Sequence, residues 1–198
     1  MMNRKRWALL PLLCLALAVG ATESPALRTG VFNPPRMAPD FSLRGSDGSE
    51  LKLSHYRGKV VALAFGYTHC PSVCPTTLAF LARVRQKLGA TAKEFQIVYV
   101  TVDPERDDEE HLSKFLASFD PTFIGGTGTP RQLADVRREY GITVSDKMFV
   151  DGQPKSNYYL DHSSFVYLID RAGELRAMVP FGVSVDDIEH DAQVLLSK

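Results

Sequence analysis

The chain has 198 residues, 44% of them hydrophobic, and its 23 basic residues are matched by 23 acidic ones. That is enough for one ordinary globular domain with an ample core, and a net charge of zero implies neither a nucleic-acid surface nor a basic membrane-binding patch.

The amino terminus carries an address. Arg4, Lys5 and Arg6 precede an apolar run from Trp7 to about Ala21, shorter than the ~20 residues that span a bilayer comfortably and suited to a signal-peptide core. Val19-Gly20-Ala21 offers small residues for cleavage. Cys14 lies inside this run, where Leu12-Leu13 lack the small residue expected ahead of a lipid-modified cysteine, and it reads as apolar filler. Residues 1–21 are therefore predicted to be a signal peptide or membrane anchor. Any membrane contact is confined to them, with the folded domain exported, either periplasmic or anchored to the outer face of the inner membrane. Removing them takes away three basic residues and no acidic ones, leaving 20 basic against 23 acidic and two cysteines. A lone cysteine pair in an exported protein sits where disulfides persist, so a partner or a metal must maintain its reduced state.

Thr22 to Pro39 is rich in Pro, Ser, Thr and Gly without apolar period. Residues 22–36 read as a flexible tether, leaving 37–198 as the domain. Phe41-Ser42-Leu43 and Leu51-Lys52-Leu53 alternate around an Asp47-Gly48 turn, predicting a small hairpin. Val60 to Phe65 has the length and β-branched content of a strand buried on both faces. Leu78, Leu81, Val84 and Leu88 then recur at helical spacing, with Gly89 as the stop. Phe95 to Val102 is a second buried strand, expected parallel to the first. Asp107 to Phe119 reads as a helix, Thr122 to Gly126 as a short strand and Arg131 to Tyr140 as a short helix. Gly141 to Asp161 is irregular and polar, and loops of that length are usually functional. Ser164 to Ile169, the turn Asp170 to Gly173 and Glu174 to Val179 form an antiparallel hairpin, and Val185, Ile188, Ala192 and Leu195 pattern a closing helix. This order is that of an α/β thioredoxin-like fold with an extra N-terminal β-hairpin.

Chemistry concentrates on Cys70 and Cys74, four apart on the turn between the first buried strand and its helix. Free N–H groups and the positive dipole end of a helix favour thiolate, so both sulfurs are expected to be reactive. On one helical turn a disulfide is possible but not forced, and two thiolates on one face are equally a soft site for Cu(I) or zinc. A purely structural disulfide closing so short a loop stabilises little.

Phe65-Gly66-Tyr67-Thr68-His69-Cys70-Pro71-Ser72-Val73-Cys74-Pro75-Thr76, Val102-Asp103-Pro104-Glu105-Arg106-Asp107 and Asp161-His162-Ser163 resemble, in order and spacing, the three signature blocks of the Sco/SenC family. The resemblance runs from roughly Met37 to Leu196. It implies a metallochaperone that helps assemble the binuclear copper site of cytochrome c oxidase and holds copper, as Cu(I) and Cu(II), on two cysteines and a histidine. Mapped onto this chain, those ligands are Cys70, Cys74 and His162. The implied partners are the copper-site subunit of the oxidase and a thiol reductant or another copper chaperone.

The residues support the same trio. Of five histidines, His162 alone opens a central strand after the long loop, where this topology faces the first strand-to-helix turn, and two thiolates with an imidazole suit Cu(I) and tolerate Cu(II). Oxidation is expected to join Cys70 to Cys74 and exclude copper, since the same sulfurs cannot serve both bonds. Asp161 is a candidate to orient His162, and Asp103 and Asp107 could offset cationic charge, although an acidic residue at such a turn is most often a cap. His69 reads as a flanking or surface group, His55, His111 and His190 as solvated, and Met148 as a gap-filling apolar contact. The principal alternative is a thiol-disulfide oxidoreductase that reduces the oxidase copper-site cysteines with Cys70 and Cys74 as its redox pair. Three residues between the cysteines instead of two favour metal. A peroxidase like the peroxiredoxins would need a threonine three residues before its cysteine, where Cys74 has Pro71 and Cys70 has Tyr67.

Overall fold

The structure, a computed structural model, describes residues 26–198; the expected signal or anchor segment, Cys14 included, lies outside the described residues. In chain order the strands and α-helices are β1 (Gly30–Met37), β2 (Ser42–Gly45), β3 (Glu50–Lys52), β4 (Val60–Gly66), α1 (Val73–Leu88), β5 (Phe95–Thr101), α2 (Glu109–Ala117), β6 (Ile124–Thr127), α3 (Pro130–Tyr140), β7 (Met148–Phe149), β8 (Tyr158–Tyr159), β9 (Phe165–Ile169), β10 (Glu174–Pro180) and α4 (Val185–Leu196). Ten strands make an eight-stranded sheet in the order β1-β10-β9-β4-β5-β6-β2-β3 and a separate two-stranded ribbon, β7-β8.

Apolar, β-branched β4 and β5 occupy the middle of the sheet, buried along their whole length. They run parallel with Val60 opposite Phe95 and Gly66 opposite Thr101, as a helical crossover between them requires. The sheet is covered on both faces. Tyr99 on β5 packs against Phe115 of α2, and α1 lies on that face beside α4, burying Leu78, Leu81 and Val84. Each such side chain contributes ~1.5–3 kcal/mol relative to exposure. On the other face Phe65 and Tyr167 meet Tyr140 of α3 edge-on or tilted, and the Tyr167 hydroxyl donates to the Tyr140 carbonyl at 2.6 Å. Helix α3 is closed at both ends by local chemistry: Thr129 and Gln132 form a capping box, and Gly141 ends it at φ 67°, a conformation that favours glycine.

Two expectations change. Residues 30–37, expected as part of a flexible tether, form β1 and pair antiparallel with β10, Gly30 opposite Met178 and Met37 opposite Glu174. Its side chains are almost all exposed, so no apolar period marks it. The strand is held by backbone bonds to the edge of β10, and its two prolines fall where the register shifts. The second change is in Gly141 to Asp161, which carries the β7-β8 ribbon and a bridge from Val144 to His162. The N-terminal hairpin is present as β2-β3, and β2 extends the sheet by pairing with β6. Among the described residues no helix is long and apolar enough to cross a membrane.

Candidate metal centre

The loop from β4 to α1 is held from below by one buried carboxylate. Asp107 accepts the Thr68 N–H at 3.0 Å, the Thr68 hydroxyl at 2.6 Å and the Thr101 hydroxyl at 2.7 Å. Asp107 is fully buried, and burial pushes its carboxyl above the usual range against these three bonds. It caps no helix; the cap of α2 is Asp108, which accepts from His111 N–H.

Cys70 lies in that loop, half-buried, while Cys74 is in the first turn of α1 and 3% exposed. The pair does not share a helical turn, and it is not symmetric. Cys74 N–H donates to Cys70 Sγ at 3.4 Å. Hydrogen bonding from the Cys74 thiol, chiefly, brings the Cys70 thiol down to about 4, against its burial. The same bond to Cys70, together with burial, pushes Cys74 far above the ordinary thiol range. Contrary to the expectation for both sulfurs, only Cys70 is a ready nucleophile.

Gly66 makes this burial possible. A Cβ on it would lie 2.7 Å from Cys74 Sγ and would overlap the Tyr99 hydroxyl, so only glycine lets β4 come this close to the sulfur. The Tyr99 hydroxyl is buried and has no hydrogen-bond partner.

His162 completes the group. Its Nε2 is 3.4 Å from Cys74 Sγ, and both sulfurs and a ring nitrogen lie within 4.8 Å of one another, the only such group among the described residues. Nδ1 meets the Ser163 carbonyl at 2.9 Å. A carbonyl only accepts, so Nδ1 carries the proton and Nε2 presents its lone pair to the sulfurs. Tyr67 stacks edge-on against the ring at 5.9 Å, and its hydroxyl accepts the Leu160 N–H at 3.2 Å. Cys70, Tyr67, Met148, Tyr159 and His162 line a cleft of about 340 Å³.

The expected carboxylates take other places. Asp161 is exposed, and the group on His162 Nδ1 is the Ser163 carbonyl, because the bridge to Val144 turns the Asp161 backbone toward Ser145. Asp103 bonds neither cysteine nor His162. Its carboxylate accepts Arg106 Nε at 2.5 Å and the Tyr158 hydroxyl at 2.7 Å, while Arg106 lies 3.5 Å over the Tyr158 ring and donates to the Tyr158 carbonyl at 2.9 Å. This clamp fixes the segment leading to His162. Neither Arg106 nor Tyr158 reads as functional from the residues alone. Arg106 lay within the second signature block, but nothing local marks Tyr158.

His69 is exposed and turned toward the Thr68 hydroxyl. His55 and His111 are exposed as expected, whereas His190 is half-buried and bonded to the Ala26 carbonyl. Met148 is 41% exposed on the cleft wall and fills no gap.

Comparison with known proteins places this arrangement. The SCO1/SenC family model matches residues 31–197. The SCO2-like protein of Rickettsia conorii is 34% identical over 139 residues, covering 70% of this chain and 67% of its own. The mitochondrial SCO2 homolog of Mus musculus is 37% identical over 136 residues, covering 68% of this chain and 52% of its own. The copper-bound structure of Bradyrhizobium japonicum ScoI superposes with a TM-score of 0.72 at 30% identity, covering 80% of this chain and 99% of that one; copper-bound yeast Sco1 gives 0.68 at 27%, covering 80% and 90%. A match along nearly the whole described chain, with the thioredoxin-like layers and N-terminal hairpin in place, makes the protein a member of the SCO1/SenC family.

Proposed function

We propose that the protein is a copper metallochaperone that carries copper on Cys70, Cys74 and His162 for assembly of the binuclear copper site of cytochrome c oxidase. The observation that carries this reading is the convergence of two sulfurs and an unprotonated imidazole nitrogen from two distant segments, within 4.8 Å, at an open cleft. The donors are soft and few, which suits Cu(I) and tolerates Cu(II). Copper is cargo here, so the site must release as well as bind, and an open cleft permits transfer to another protein's ligands. Cys70 enters as thiolate, Cys74 gives up its proton on binding, and affinity therefore rises with pH. The receiving protein is the oxidase copper-site subunit, the further partner is a thiol reductant that keeps the cysteines reduced or another copper chaperone, and the setting is the periplasm or the outer face of the inner membrane.

A thiol-disulfide oxidoreductase is the second reading, favoured by one observation: a half-exposed thiolate beside a buried thiol is the division of labour between an attacking and a resolving cysteine. His162 separates the two. His162→Ala should leave formation of the Cys70–Cys74 disulfide intact, weaken copper binding by orders of magnitude, and abolish support of oxidase assembly in cells. If that variant still supports assembly at normal copper levels, metal delivery is wrong and the reductase takes its place.

A further inference from the structure

The Tyr99 hydroxyl is the one buried tyrosine oxygen among the described residues that no partner satisfies. Tyr67, Tyr140, Tyr158 and Tyr167 each place theirs on a backbone or carboxylate group. Tyr99 is 1% exposed, in the middle of β5, on the face that α1 and α2 cover. Its hydroxyl and Cys74 Sγ meet at the spot a Gly66 side chain would fill, and the sulfur is 2.7 Å from that point. A phenylalanine would fill the same space with the same ring. The polar atom beside that oxygen is the Cys74 sulfur, and a thiol is a weak acceptor.

We propose that Tyr99 donates a hydrogen bond to Cys74 once that sulfur is a thiolate, and that this bond shifts the copper-loaded site toward Cu(I). The inference rests on the copper reading above. A thiolate is a strong acceptor, so the orphan donor acquires its partner when metal displaces the Cys74 proton. Density drawn from the sulfur weakens its donation to Cu(II) more than to Cu(I), and hydrogen bonding at a cysteine sulfur is a recognised lever on copper potentials. Cys70 receives its own donor, the Cys74 N–H, so each sulfur has one. Tyr99 is a positioning residue in this role, since it touches the ligand and not the metal.

The test uses the full chain and Tyr99→Phe, with Tyr140→Phe as control because that hydroxyl bonds the Pro39 carbonyl on the opposite face of the sheet. All three proteins should bind one copper. Tyr99→Phe should lower the ratio of Cu(I) to Cu(II) affinity about tenfold, a fall of about 59 mV in midpoint potential for one electron, and shift the thiolate-to-Cu(II) absorption band. Metal-free Tyr99→Phe should unfold at the same denaturant concentration as the parent or higher, since it loses only an unsatisfied oxygen. An unchanged potential and band in a folded, copper-loaded Tyr99→Phe overturns the proposal. So does a metal-free variant that fails to fold, which would mean that the hydroxyl has a partner without metal. If the unsubstituted chain binds no copper, the copper reading itself falls.

Discussion

Asp107 is the carboxylate on which the cysteine loop rests, and its removal has a calculable effect. Asp107→Ala deletes the acceptor of three bonds, from Thr68 N–H, the Thr68 hydroxyl and the Thr101 hydroxyl. The hydroxyls can turn elsewhere, but the amide cannot, so one buried donor loses its partner at ~1–3 kcal/mol. The hydroxyls forfeit charge-assisted bonds, while the chain is relieved of a carboxylate whose ionisation burial opposes. The net loss is about 2–4 kcal/mol. Asp107→Asn is milder. Its oxygen can serve the Thr68 amide and Thr101, and its NH₂ can donate to Thr68 Oγ1, whose own hydrogen then turns to His69 Nδ1, 3.0 Å away. That exchange costs about 1 kcal/mol. Urea unfolding of the reduced, metal-free chain at neutral pH measures both. Equal losses in Ala and Asn, or less than about 1 kcal/mol in Ala, would refute the assignment of this carboxylate as the loop's anchor.

Three further outcomes are expected. With Cys70 brought down to about 4, alkylation of reduced, metal-free protein by iodoacetamide should stay fast as pH falls below the ~8.5 of a free thiol and decline only near the lower value. Because that folded pKa is depressed, the stability gained from the thiolate is complete above ~8.5, shrinks as pH falls and is lost through about 4; a loss of reactivity already at neutral pH contradicts the asymmetric pair. Tyr158→Phe should cost about 1–2 kcal/mol through the Asp103 bond and speed amide exchange between Tyr158 and His162, with no change in the Cys70–Cys74 loop. Met1 to Pro35 fused to a reporter active only after export should give activity, and a reporter trapped in the cytosol defeats the proposed localisation.

What could be read from residues alone was what repeats along the chain. Val60 to Phe65 and Phe95 to Val102 are long, apolar and β-branched, so their burial and parallel pairing followed from composition, and α1 announces itself through Leu78, Leu81, Val84 and Leu88. Strand β1 was invisible because its contribution is backbone, and β7 and β8 are two residues each, too short for any period. At the site, Cys70, Cys74 and His162 stood out because few residue types bind soft metals. The inequality of the two sulfurs did not, since Gly66 and Tyr99 bury Cys74 through contacts that only the folded sheet creates. Asp103 stands out in the sequence only by its charge, while its partners, Arg106 and Tyr158, include one 55 residues away.

The short stretch Asp103–Asp107 has a consequence for how the cleft is gauged. Its Asp107 end grips the cysteine arm through Thr68, and its Asp103–Arg106 end grips the histidine arm through Tyr158. The two arms come from opposite ends of the fold's history along the chain, yet a single ruler sets the distance between thiol and imidazole. An inserted or deleted residue inside that ruler would change the bite of the pincer while leaving every ligand in place.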